Sequence, residues 1–166
     1  LSNTILKEGV TEADIDTLSV NSLSQTIQYF DGLGRPIQSV ITQGSPDKKD
    51  IIQPVVYDAF GREAVKYLPF VSSETNGWYK QNALAHQSDF YNPNNPTPKV
   101  AADVAPFAVT VFEPSPLNRV IKQGAPGSAW QPDGVNTYNS TDHTIKKSYE
   151  FNTANEVLLW SYSYPT

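Results

Sequence analysis

The 166 residues include no cysteine and no methionine. Without thiols there can be neither a disulfide framework nor a thiolate metal site. With no methionine even at position 1, the chain is expected to begin inside a longer gene product, after removal of a signal or anchor segment. Histidine is scarce too. His86 and His143 are the only two, with no H-x-x-x-H or H-E-x-x-H spacing, so no zinc site is expected. Charged residues make up 17% of the chain, against about 25% in an ordinary domain. The formal net charge of −5 argues against the basic surface that non-specific nucleic-acid binding or docking on an anionic membrane requires. No apolar run approaches the ~18 residues of a membrane span. No glycine-rich phosphate loop follows a strand, and no cofactor is expected. Asp142-His143 stands beside Ser140 and Thr141, but no nucleophile-elbow motif accompanies the pair, so the chain reads as a non-enzyme.

What the chain does contain is turn formers and aromatics: 13 Pro, 9 Gly and 9 Tyr, a composition that favours β structure over helix. One stretch organises it, Ile27-Gln-Tyr-Phe-Asp-Gly-Leu-Gly-Arg-Pro-Ile-Gln-Ser-Val40, and a copy follows as Val55-Val-Tyr-Asp-Ala-Phe-Gly-Arg-Glu-Ala-Val-Lys-Tyr67. Each reads as strand, tight turn, strand. Asp31 and Asp58 stand where a type I turn wants a carboxylate. Gly34 and Gly61, three residues on, supply the positive φ with which the chain re-enters its second strand through a bulge. Arg35 and Arg62 follow directly. A third copy is degenerate: strand Phe107–Phe112, Glu113 for the aspartate, a longer proline-stiffened turn, Asn118 for the glycine, and then Arg119. Asparagine tolerates the left-handed conformation best after glycine. A fourth copy over Ile145–Tyr164 has Glu156 where arginine should stand.

Residues 1–21 read as an arm, either a short helix over Thr11–Leu18 opened by the capping box Thr11/Asp14 or an extended segment with one helical turn. Residues 22–166 read as one β-rich domain with an insertion at 71–106. The insertion carries the chain's best helix candidate, near 74–91, with Tyr79, Ala83, His86 and Phe90 on one stripe. The expected fold is mainly β: consecutive antiparallel hairpins in a curved sheet or partial barrel, with that helix over an open face. From Leu158 the alternation Leu158, Trp160, Tyr162, Tyr164 predicts a terminal strand with one apolar side.

The aromatic-Asp-x-x-Gly-Arg unit resembles the YD repeat of RHS-repeat proteins, large bacterial surface or secreted proteins whose repeats wind into a β-sheet shell. The longer pattern also includes Lys49-Asp50-Ile51, Ser115-Pro-Leu-Asn-Arg119 and Pro126-Gly-Ser-Ala-Trp130. As a whole it is similar to an uncharacterised domain that opens many RHS-repeat proteins of Bacteroidetes. The resemblance implies an extracytoplasmic, non-catalytic structural module. Its partners would be the downstream repeats of the same polypeptide.

The recurrence of Arg35, Arg62 and Arg119 favours a structural role for all three. Each is expected to pair with a nearby acid or to pack along aromatics of the neighbouring repeat. The alternative is a surface module for cell-surface glycans, with Trp130, Trp160 and Tyr162 as candidate sugar-stacking residues. The loop Asp133–Asn139 supplies oxygen ligands out of EF-hand order, which leaves calcium binding there as an alternative, although no resident metal is expected.

Overall fold

In a computed structural model, residues 1–98, 100–134, 142–154, 156–158, 160 and 162 are described. They form strands β1 (Ser2–Ile5), β2 (Leu23–Phe30), β3 (Pro36–Thr42), β4 (Ile51–Pro54), β5 (Val65–Tyr67), β6 (Phe70–Val71), β7 (Phe107–Phe112), β8 (Val120–Gln123) and β9 (Ile145–Lys146), with one α-helix, α1 (Ala83–Phe90). Every pairing is antiparallel. One sheet runs β1-β2-β3-β4-β6 and a second β5-β7-β8-β9, neither closed into a barrel. The expected mainly β architecture of antiparallel hairpins is therefore present. The ladder is interrupted at the second turn, where a single bridge, Val56 to Val65, joins the end of the first sheet to the start of the second.

The centre of the first sheet is β3, whose alternation puts Gln38 and Val40 inward. Val40 and Ile52 are fully buried, and Phe70 and Ala83 close over them, with Tyr29, Phe90 and Tyr91 packed around the cluster. Burying side chains of the size of Val40, Ile52 and Phe70 stabilises by about 1.5–3 kcal/mol each. Pro54 costs the ladder nothing at the end of β4, because the following N–H, that of Val55, donates to the Ile37 carbonyl at 2.9 Å.

Two short strands had no clear sequence signature. β1 lies within the expected arm and pairs with Leu23–Thr26. β6, at the head of the insertion, pairs with Ile51–Ile52. The arm's helical turn is a 3-10 helix over Glu12–Thr17, closed at its start by the Asp14 carboxylate accepting from the Thr11 N–H and hydroxyl at 3.0 and 2.7 Å.

The inserted helix expected near 74–91 is present and spans Ala83–Phe90. Residues before Asn82 are held in a loop by buried polar groups that compete with helical hydrogen bonds. Asp50, fully buried, accepts from the Gln43 N–H at 2.9 Å and the Gly77 N–H at 2.7 Å. The Gln38 amide pairs with both main-chain groups of Lys80, accepting at 2.8 Å and donating at 3.1 Å. Lys80 Nζ reaches Glu74 at 2.6 Å and Asn76 at 2.8 Å. Gly77, at φ 69°, takes a conformation no helix contains, and a Cβ there would lie 2.7 Å from Ile27 Cδ1. Within the helix the buried positions are Ala83 and Gln87. Gln87 donates to the Pro106 carbonyl at 2.6 Å, while His86 is exposed with its ring edge toward Phe70.

The C-terminal expectation is corrected. Glu156, Val157, Leu158, Trp160 and Tyr162 carry no strand, and Leu158, Trp160 and Tyr162 are exposed. Leu159, Ser161, Ser163 and Tyr164 lie outside the described residues. Glu156, in the place of an arginine, turns back onto its own loop: its carboxylate accepts from the Thr153 N–H at 2.6 Å. The fourth copy therefore contributes only β9 to the second sheet among the described residues.

The polar staple yields a stability prediction. Asp50→Ala leaves the buried Gly77 N–H without its carboxylate and should cost about 2–5 kcal/mol by equilibrium urea unfolding. A loss below 0.5 kcal/mol, on the order of a neutral surface change, would mean that this network does not hold the insertion.

Candidate functional site

The first two arginine turns share one geometry, and the third keeps the pairing of acid and arginine across a longer loop. In the first, Asp31 Oδ1 accepts from the main-chain N–H of Leu33 and of Arg35, both at 2.9 Å. Its Oδ2 accepts from Arg35 Nε at 2.8 Å. The second turn repeats this with Asp58 accepting from Phe60 (2.8 Å), Arg62 N–H (2.9 Å) and Arg62 Nε (2.8 Å). Main-chain bonds close both, Gly34 N–H to the Asp31 carbonyl at 3.0 Å and Gly61 N–H to the Asp58 carbonyl at 2.9 Å. Gly34 and Gly61 both have φ of 76°, as the Asp-x-x-Gly spacing requires. In the third turn Asn118, at φ 52°, takes the glycine's place, and Arg119 forks onto Glu113 with Nε at 2.8 Å and Nη2 at 2.7 Å. Register shifts fall at Tyr29/Phe30 and Val111/Phe112, the strand ends that enter the first and third turns.

Each guanidinium is shared with the following repeat. Arg35 lies over the Tyr57 ring at 4.5 Å, Arg62 over Phe112 at 4.3 Å and Arg119 over Tyr149 at 4.5 Å. The receiving ring is in each case the aromatic just before the next repeat's acid. The strand registers explain this regularity. Gln38 pairs with Pro54, Val65 with Val109 and Lys122 with Lys146. Carrying each antiparallel register three residues further sets Arg35 opposite Tyr57, Arg62 opposite Phe112 and Arg119 opposite Tyr149. Where the ring has a hydroxyl, it returns a bond to the strand it faces: Tyr57 donates to the Pro36 carbonyl at 2.9 Å and Tyr149 to the Val120 carbonyl at 3.2 Å. The outermost nitrogen reaches the next turn. Arg62 Nη1 donates to Asn118 Oδ1 at 2.6 Å, and Arg35 Nη1 would lie 3.2 Å from a Cβ on Gly61. Lysine has neither the planar face nor the fork to make these contacts together.

Electrostatics follow the geometry. Main-chain donation from Arg35 and Arg62, helped by their guanidinium groups, holds the Asp31 and Asp58 carboxyls below the usual range. The side chains of Arg119 and Ser115 hold Glu113 down to about 2.

The receiving residues Tyr57, Phe112 and Tyr149 were not legible as partners of particular arginines. The signal was present in the aromatic that precedes each acid, but reading it requires the cross-strand register. A second charged cluster was missed entirely. Lys122, 2% exposed, donates from Nζ to Asp142 at 2.8 Å and to Asp133 at 3.1 Å, and Lys146 makes a second ion pair with Asp142 at 2.8 Å. Burial pushes the Asp142 carboxyl up, but bonds from Lys122, Lys146 and Thr144 outweigh it, and the group lies below the usual carboxylate range.

The other candidates are dispersed. Trp130 ends a 3-10 helix over Ser128–Trp130 and is half-exposed, its ring 5.4 Å from that of His143. It lines a cleft of about 280 Å³ with Leu68, Tyr91, Pro106 and Pro126, and neither Trp160 nor Tyr162 is part of that lining. His143 Nδ1 bonds the Ala129 carbonyl at 2.8 Å while Asp142 is engaged by lysines, so the two do not form a dyad with each other. Ser140 and Thr141 lie outside the described residues, as does most of the loop Asp133–Asn139. No cluster of metal-ligating side chains occurs among the described residues, and no described helix is long and apolar enough to cross a membrane.

The fold and the turn geometry define a protein of antiparallel β-hairpins with a repeated aromatic-acid-turn-arginine unit. The chain belongs to the family described as Domain of unknown function (DUF6443), which matches residues 2–145. That span contains all three arginine turns. No curated protein and no solved structure matches the chain.

Two predictions follow from the turn chemistry. Gly34→Ala, with open space around the new Cβ, should cost only the backbone strain of about 1–2 kcal/mol. Gly61→Ala brings its Cβ to 3.2 Å from Arg35 Nη1, so it must also shift that group and should cost more than Gly34→Ala, about 2–3 kcal/mol; equal losses for the two alanine variants would show that Arg35 does not occupy the second turn. The second concerns pH. Because the folded-state value of Glu113 is depressed from 4.5 to about 2, its contribution to stability is complete above pH 4.5 and is lost as pH falls toward 2. Glu113→Gln should therefore flatten the acid limb of a stability–pH profile across that window and leave the profile above pH 6 unchanged in slope.

Proposed function

We propose that this domain is a non-catalytic structural module that opens or caps an RHS-type β shell in a large extracytoplasmic bacterial protein. The observation that carries the reading is the directional use of arginine. The three arginines of the chain each pair with the acid of their own turn and stack on the aromatic of the next repeat. This is machinery for setting one hairpin against its neighbour, and it leaves the guanidinium groups engaged by the protein itself. The partner on this reading is the downstream part of the same polypeptide. The exposed apolar residues Leu158, Trp160 and Tyr162 at the C-terminal end are the surface such a continuation would cover.

The glycan-binding alternative has less support, since Trp130 lines a cleft that excludes Trp160 and Tyr162. The gene product downstream of Thr166 is the first test: a succession of aromatic-Asp-x-x-Gly-Arg hairpins is expected there, and a sequence without such turns would overturn the shell reading. A glycan-array screen of the protein is the second. No saturable binding is expected, and binding abolished by Trp130→Ala would favour the surface lectin instead.

The relay itself can be tested by a double-mutant cycle on Arg62 and Phe112, read by denaturant unfolding. A coupling energy of about 0.5–2 kcal/mol is expected for a partly desolvated cation–π pair. Additive effects would remove the basis of the proposal.

A further inference from the structure

The relay has a beginning as well as a direction. Phe30 stands immediately before Asp31, in the position that Tyr57, Phe112 and Tyr149 hold before their own acids. Those three rings each lie under a guanidinium. Phe30 is 54% exposed, and among the described residues no cation lies over it. The turn beside it differs in the same sense. A Cβ on Gly61 would meet Arg35 Nη1 at 3.2 Å, whereas one on Gly34 would meet nothing within 4 Å.

The backbone at this point is also an edge. β1 pairs with β2 only from Leu23 to Thr26, so Ile27–Phe30 have no strand on that side among the described residues. The register of the β1–β2 ladder is regular, with Ser2 opposite Thr26. Continuing it sets Leu1 opposite Ile27 and the third residue upstream of Leu1 opposite Phe30. That is the relation that places Arg35, Arg62 and Arg119 opposite their rings.

We infer that the Gln28–Phe30 edge with the Phe30 ring is a receiving site for an arginine carried by an antiparallel strand that runs into β1 from upstream. The strand's main chain would extend the β1–β2 ladder by β-addition, and its guanidinium would lie over Phe30 and reach toward the Gly34 turn. The ligand chemistry is specific. A lysine would supply charge without the planar face and fork that the other three sites use, and an acidic strand would face the Asp31 carboxylate. The inference uses the relay geometry but not the shell reading, since it concerns the opposite end of the chain from Thr166.

Four chains decide it: Arg-Thr-Val or Ala-Thr-Val placed ahead of Leu1, each on the native chain and on F30A. Folding constants are read from denaturant unfolding, and strand addition from amide-exchange protection at Gln28 and Phe30. On the native chain the arginine extension should raise the folding constant about two- to five-fold over the alanine extension, the size of an exposed cation–π contact. That advantage should vanish on F30A. Equal constants for the two extensions would overturn the inference, even if the edge amides become protected, because a strand would then dock without its guanidinium. An arginine advantage that persists on F30A would overturn it too, by placing the cation elsewhere.

Discussion

The structure depends on one interaction: a guanidinium that belongs to two repeats at once. Its edge is held by the acid of its own turn, its face lies on the aromatic of the next repeat, and its last nitrogen reaches the next turn. An exposed ion pair alone contributes about 0–1 kcal/mol, and an exposed cation–π contact about as much. Their value here lies in sharing. The acid fixes the guanidinium before it meets the ring, so the ordering entropy of a long side chain is spent once for both contacts. Asp31 and Asp58 are themselves fixed by main-chain donors, so rigidity passes from turn to guanidinium to the neighbouring strand.

Arg62 matters most because of where the sheets part. β4 turns to β6 for its next partner and β5 turns to β7, so the second hairpin survives as the Val56–Val65 bridge and the turn beyond it. At that junction Arg62 contacts Phe60, Phe112 and Asn118. The backbone ladder is thinnest where the arginine makes the most contacts. A hairpin with so little ladder is marginal by itself, and here the side chains supply the register that the backbone does not.

The turns were legible in the sequence because their chemistry is local. Asp31, Gly34, Arg35, Asp58, Gly61, Arg62, Asn118 and Arg119 each do what their neighbours within a few residues require. The strands around them were legible from alternation. What was not legible depended on distant groups. The period of Tyr79, Ala83, His86 and Phe90 suggested a longer helix than Ala83–Phe90, but Asp50 and Gln38, far away in sequence, draw the backbone at Gly77 and Lys80 into a loop. β1 and β6 are four and two residues long, too short to show a period, and exist because β2 and β4 offer them edges. The stripe of Leu158, Trp160 and Tyr162 looked like a strand by pattern alone. A pattern forms a strand only when a neighbouring strand is there to pair with, and the described residues there carry no strand.

The end of the relay follows from a single residue type. Tyr149 receives Arg119, and Glu150 occupies the position of the paired acids, yet its carboxylate accepts from Ser148 at 2.6 Å. No arginine follows Arg119 in the sequence, and Glu156 spends its charge on Thr153. The fourth turn can therefore receive an arginine but has none to send on. If further repeats follow, the junction between the fourth turn and the next must rest on main-chain pairing and the exposed apolar side chains, because the fourth turn carries no arginine of its own. The two ends of the domain thus differ chemically: an aromatic receiver at Phe30 and an apolar surface around Trp160. Only the first is specified by a register that the rest of the molecule repeats.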